Sequence, residues 1–355
     1  GRLACVTRVR SESMVENLEI DEPEISDVSL RFLRQRWYRH IWSNWGCTGL
    51  GNSRFLLLLL GVGCQCATLW ITLPLWSVRA EPPNLPTFSV PDVDFVWPLF
   101  LSLVLTIALP RPGMTLHWVL LIIAAVFDQY RLQPQFFAIA VLISACVWPS
   151  WQCFARWFLV STWLWAGLHK LLSADWYGHA SYLLVQRAGF PEPEHIYIPV
   201  AVTVAFVEIA VGLAGCFRPR WAAIACVPLH LGIVLTLSPL MLDWNASVIP
   251  WNLAMAAIAS WVMWTTVTVI PQGRWQWATA MAWLLCPLGF FVGWLDHGFS
   301  GVLYSDSLPR GQITSIDGPR KIRGWGDLKV PFPNERRTLR MFFERAGVSG
   351  DFLHI

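Results

Sequence analysis

From Phe55 to Leu295 the chain alternates long apolar runs with short polar breaks that carry proline, glycine or charge. A helix that crosses a bilayer takes about 20 mostly apolar residues. Six runs meet that length: 55–78, 151–172, 196–217, 221–242, 246–270 and 275–295. Three others, 95–109, 114–127 and 136–149, are shorter and bounded by proline, so each predicts either a thin span or part of a re-entrant pair covered by its neighbours. The pattern predicts an all-α polytopic bundle of about nine transmembrane helices, occupying residues 55–295 between an N-terminal polar tail, 1–54, and a C-terminal tail, 296–355.

Lysine and arginine in short loops mark the cytoplasmic side. Arg31, Arg34, Arg36, Arg39 and Arg54 lie near the membrane end of the first tail, and every second loop carries Arg111, Arg218 with Arg220, or Arg274. The alternate loops, 79–94, 128–135, 173–195 and 243–245, are richer in Asp, Glu, Pro and Asn, with Arg79, Arg131 and Arg187 as exceptions. This predicts a cell-membrane protein with its N-terminus cytoplasmic and its C-terminus extracytoplasmic. The first 54 residues are polar and mixed in charge, so membrane targeting is expected from the first span itself.

Composition narrows the class. Hydrophobic residues make up 55% of the chain and charged ones only 14%, too apolar for a soluble protein of 355 residues. Many of the 23 tryptophans stand at the ends of apolar runs, as interfacial belts do. A net charge of +3 spread over tails and loops gives no nucleic-acid surface. Most of the nine cysteines lie inside apolar runs, and no spacing suggests a disulfide framework or a metal site. The C-terminal tail reads as turns with a strand pair, plus a short amphipathic helix at 336–345 that either lies on the membrane or faces solvent.

Within this apolar background a few polar residues become candidates for chemistry. Lys170 ends an apolar run, and on a helix Trp163, Ala166, Gly167 and Lys170 share one face, whose small residues admit a neighbouring backbone. The amine is either a base lodged in the bundle or a lysine that extends to the interface. Glu208 lies mid-run with Gly212 and Gly215 on its face; it needs a proton, water or a cation, and Lys170 and Arg156 are the candidate partners. His169 and His230 are further candidate acid–base groups, the alternative being satisfied core histidines. Asp175, Trp176, Asp243, Trp251 and Asn252 are candidate ligand contacts, with helix capping by Asp243 or Asn245 as the structural alternative. Asp128 opens a polar segment, 128–134, that forms either a network or a simple i,i+3 pair with Arg131.

The segment Ala166-Gly-Leu-His-Lys170-Leu, followed by Asp175-Trp176 and Gly178, resembles a membrane helix of the vitamin K-dependent gamma-carboxylase family and its bacterial relatives with the horizontally transferred transmembrane (HTTM) domain. There the motif reads Ala-Gly-Leu-Lys-Lys-Leu before Asp-Trp and Gly. The resemblance covers roughly 55–295 and implies nine spans, with Lys170 in the place of the lysine taken as the base that deprotonates a quinol, so that a quinone or quinol is the implied cofactor. His169 replaces the first lysine, and one extra residue precedes the Asp-Trp pair. A tail of sixty residues is too short for the peptide-binding domain of such carboxylases, so shared membrane architecture with quinone or lipid binding is implied more than carboxylation. A second resemblance, to the shorter DoxX and MauE membrane proteins, implies an accessory subunit whose C-terminal tail docks a protein partner.

Overall fold

Each apolar run contributes helix, and proline sets many of the starts. In the computed structural model α1 is Leu50–Ile71, α2 Leu73–Trp76, α3 Val96–Ala108, α4 Pro110–Phe127, α5 Pro134–Val147 and α6 Trp151–Leu172. A π turn, Trp176–Ala180, leads into α7, Ser181–Arg187; α8 is Pro193–Phe217 and α9 Pro219–Leu237. Then α10, Ile249–Ala254, runs through a π turn, Met255–Ala259, into α11, Ser260–Trp264, and α12 is Arg274–Leu285. Pro110, Pro134, Pro193 and Pro219 each open a helix, where the missing N–H would have had no partner. The structure describes residues 50–355 except 80, 89–90, 191, 267–270, 304–308, 317, 323, 325 and 327. The expected N-terminal tail and its arginines up to Arg39 lie outside the described residues.

Five of these segments are long and apolar enough to cross a membrane: Asn52–Ile71, Pro110–Phe127, Pro193–Phe217, Pro219–Leu237 and Ala246–Trp264. Val96–Ala108 and Pro134–Val147 are apolar but shorter. The last apolar run departs most from expectation. Its helix α12 has only 12 residues, roughly 18 Å of rise, before Pro287 and Gly289 turn it into a 3-10 stretch, Cys286–Phe290. The count of nine spans is therefore not reached by length and composition among the described residues.

The most extensive helix pairing is α6 against α8. Glycines let the two backbones close. A Cβ on Gly167 would stand 2.5 Å from the Ala205 carbonyl oxygen, one on Gly212 2.6 Å from Leu164 Cγ, and one on Gly215 2.8 Å from Val160 Cγ2. Helix α5 is apolar on every side and buried throughout 138–147, which makes it the central post of the bundle.

The C-terminal tail forms a three-stranded antiparallel sheet in the order β2–β1–β3, with β1 Gln312–Ser315, β2 Gly318–Lys321 and β3 Phe352–His354, together with α13, Arg336–Ala346. Ile313 faces Arg320 on one side and Leu353 on the other. The expected strand pair thus gains a third strand. The apolar face of α13 packs on the chain itself. Leu339 is fully buried beside Ile322, in contact distance of Gly311, and Phe342 meets Phe332 edge-on at 5.7 Å.

The tail is fastened to the helix-end loops. Phe332 packs edge-on against Tyr130 at 5.2 Å, Gln133 donates to the Pro331 carbonyl at 3.0 Å, and Arg337 bonds both Gln129 and Asp296. The His297 backbone N–H and Nδ1 both reach Glu335 Oε1, at 2.7 and 2.5 Å. Burial pushes the Glu335 carboxyl up, but the His297 contacts and the Arg337 charge outweigh it and hold it below its usual 4.5.

Two outcomes follow from these contacts. Gly212→Val should separate α6 from α8 and lower stability by about 1–3 kcal/mol, read as thermal unfolding in detergent, whereas Gly63→Val, which meets open space, should leave the melt unchanged. For the tail, a depressed carboxyl pKa contributes stability that is present above the unfolded value and lost as pH falls through the folded one. Glu335→Gln should therefore speed proteolysis of the tail at pH 7, and the difference from wild type should vanish well below pH 4.5.

Candidate functional site

The antiparallel α6–α8 seam brings two of the candidates together. Lys170 Nζ donates to both carboxylate oxygens of Glu208, at 2.9 and 2.8 Å. Side-chain exposures of 4% and 8% put the pair inside the bundle. The Trp176 ring lies beneath the ammonium, 5.4 Å from Nζ to centroid, and its indole N–H is held by the Ala201 carbonyl at 3.1 Å. Arg156 serves the other end of the seam, donating to the Gly215 and Cys216 carbonyls at 3.1 Å, as a cation at a helix C-terminus does.

His230 and Asn252 form a second buried unit. The Trp163 indole N–H donates to His230 Nε2 at 3.0 Å. An indole nitrogen can only donate, so Nε2 must accept and the proton sits on Nδ1, 2.8 Å from Asn252 Oδ1. Asn252 passes its own N–H to the Val248 carbonyl at 2.9 Å. Both ring nitrogens are engaged and the ring is neutral. The sequence reading did not single out His117, which is held alike: Gln65 Nε2 lies 3.2 Å from Nε2, and Nδ1 lies 2.8 Å from the Ser102 hydroxyl, which itself donates to the Leu99 carbonyl. The signal available was the same as for His230, a lone histidine within an apolar run.

His169 points away from Lys170's partner. Its Nε2 lies 3.1 Å from the Ser300 carbonyl, and its ring stacks on Phe291 at 5.5 Å. Asp128 belongs to a separate ionic cluster at the loop ends. It is fully buried, pairs with Arg79, and takes backbone N–H groups from Leu85 at 3.0 Å and Tyr130 at 3.2 Å. Its i,i+3 contact to Arg131 is the longer one, 3.9 Å. Asp175 is half exposed, 3.5 Å from Arg310, and Asp243 is an exposed turn residue with φ 48°. Asn245 occupies the cap position of the turn that precedes α10 without a side-chain bond to its backbone, and its Oδ1 accepts from the Ser247 hydroxyl at 2.7 Å instead.

Two contiguous cavities lie elsewhere. A chamber of about 240 Å³ is walled by aromatic rings, Trp118, Phe137, Phe154, Phe158, Trp283 and Phe299. A vestibule of about 330 Å³ has mainly apolar walls, among them Leu183, Trp244, Val248 and Val302, into which Gln133, Gln135, Asn245, Asn334, His179 and His297 bring polar groups. Pro134, Trp251, Gly298 and Leu303 line both. Trp251 carries a buried indole N–H without an acceptor. Of the sequence candidates only Trp251 lines these spaces; Lys170, His169, Glu208 and His230 line neither. The chamber escaped the sequence reading because its walls come from helices far apart in the chain and are ordinary apolar residues. Among the described residues no group of three or more His, Cys, Asp or Glu stands ready for a metal ion.

Comparison with known proteins gives no match to this chain among family profiles, curated proteins or solved structures.

The ion pair makes its own test. Breaking a buried pair leaves an uncompensated charge, about 3–5 kcal/mol, whereas replacing both members by apolar residues of like size is near neutral. Lys170→Met and Glu208→Leu should each lower the melting temperature steeply, and the double variant should recover most of the loss.

Proposed function

We propose that this is a multi-pass membrane protein of the HTTM type, with nine membrane-embedded helices and its C-terminus outside the cell, that binds a lipid-like or quinone-like molecule in the aromatic chamber. The observation that carries the reading is a pair of adjoining spaces that share wall residues. One is ring-lined at about 240 Å³; the other, at about 330 Å³, is also mainly apolar but carries amides and two histidines in its wall. Ligand sites combine an apolar enclosure with a few placed polar groups in this way. An amphiphile matches both compartments when its apolar part enters the chamber and its head stays in the vestibule beside the tail.

Lys170 is assigned a structural role in this reading. A base needs a free lone pair and access to its substrate, whereas this amine spends two of its N–H groups on Glu208 and lines neither compartment. The pair ties α6 to α8 and so fixes the wall that α6 gives the chamber through Phe154, Phe158, Ser161 and Thr162.

Protein purified in mild detergent should carry a stoichiometric apolar ligand by native mass spectrometry. Val141→Phe, which fills the chamber from α5, should release it, while Lys170→Met/Glu208→Leu should retain it. Wild-type protein that binds no lipid or quinone would remove the proposal, and loss of ligand in the double variant alone would return Lys170 to the site.

A further inference from the structure

The charges of the bundle are turned into one another and away from the cavities. Lys170 faces Glu208, Arg156 faces helix-end carbonyls, and Asp128 faces Arg79 and Arg131. Among the described residues no Lys, Arg, Asp or Glu lines either the chamber or the vestibule. The vestibule offers amides and two histidines. Of these, His297 is already committed to Glu335 through Nδ1 at 2.5 Å.

We infer that the occupant is an uncharged, single-chain amphiphile, a long-chain alcohol or monoacylglycerol with acceptor oxygens in its head, and not an anionic lipid. This rests on the proposal that the chamber holds a lipid-like molecule. A carboxylate or phosphate drawn into the vestibule would meet no Lys or Arg among the described residues and a His297 already bonded to Glu335, whereas neutral hydroxyl and ester oxygens need no counter-charge. Size argues for one chain. Pockets for whole drug-sized molecules hold about 300–1,000 Å³, and the chamber at about 240 Å³ is smaller.

The experiment is direct binding of tritiated 1-monoolein and tritiated oleate to the purified full-length chain in detergent at pH 8, by scintillation proximity. Monoolein should bind at least tenfold more tightly than oleate. Val141→Phe, or Thr162→Phe should the first variant fail a thermal-melt check, should abolish that binding. Asn334→Lys, which places an ammonium in the vestibule, should bring oleate to within about twofold of monoolein. Equal or tighter binding of oleate by wild type would overturn the inference and leave lipid binding standing. Binding that survives both chamber-filling variants would place the ligand elsewhere and overturn it too. Failure of either lipid to bind would remove the reading on which it rests.

Discussion

The fold turns on a salt bridge formed where water is scarce. Two opposite charges that meet in a low-dielectric interior attract strongly, but only after both have lost their hydration, so the gain depends on geometry. The α6–α8 seam supplies that geometry. Gly167 and Gly212 bring the backbones close enough for Lys170 to reach both oxygens of Glu208 without extending out of the bundle. Trp176 closes the site from below with its ring face, and its N–H is pinned on Ala201 of the same α8. Three interactions of different kinds, small-residue packing, an ion pair and an indole hydrogen bond, therefore hold one register between two helices.

That register explains which parts of the seam the sequence disclosed. The inward faces were legible because glycine and alanine recur on them at helical spacing with a single charge. The choice between Lys170 and Arg156 as partner of Glu208 was not, since it depends on how far the antiparallel helices slide past each other. Helix periodicity carries no information about that slide. The structure sets it so that Arg156 meets the C-terminal carbonyls of α8 while Lys170 meets Glu208 about two turns earlier in that helix. The aromatic chamber was illegible for a similar reason, as apolar rings on α4, α5, α6 and α12 look alike whether they meet lipid, one another or a void. The shortening of α12 had a visible cause, Pro287 and Gly289, that a count of apolar residues passes over.

The exceptions to the charge asymmetry of the loops gain a physical reading. Arg79 and Arg131 stood on the side with fewer cations, yet both are buried against Asp128, and Arg131 also lies 3.7 Å from Asp92. Their rings of contact are completed by Tyr130 and Phe95, 5.2 and 5.0 Å from the guanidinium carbons. A cation neutralised inside the protein no longer acts as a free charge at the membrane surface. Arg187, the third exception, is exposed.

The same economy of charge shapes the cavities. The acid–base candidate His230, and His117 with it, are fixed as neutral rings because an amide or indole donor occupies Nε2 and an oxygen takes the Nδ1 proton. The bundle thus consumes its polar groups in pairs and presents hydrocarbon and aromatic surface to the chamber. What polarity the vestibule has comes from helix ends and from the tail, through Gln133, Asn245, Pro331 and Asn334. The segment that carries Pro331 and Asn334 also carries Glu335, whose bond to His297 joins α13 to the stretch that lines both cavities at Gly298. The C-terminal tail is therefore part of the vestibule wall itself, and any change that loosens the sheet and α13 alters the polar end of the cavity while leaving the aromatic end in place.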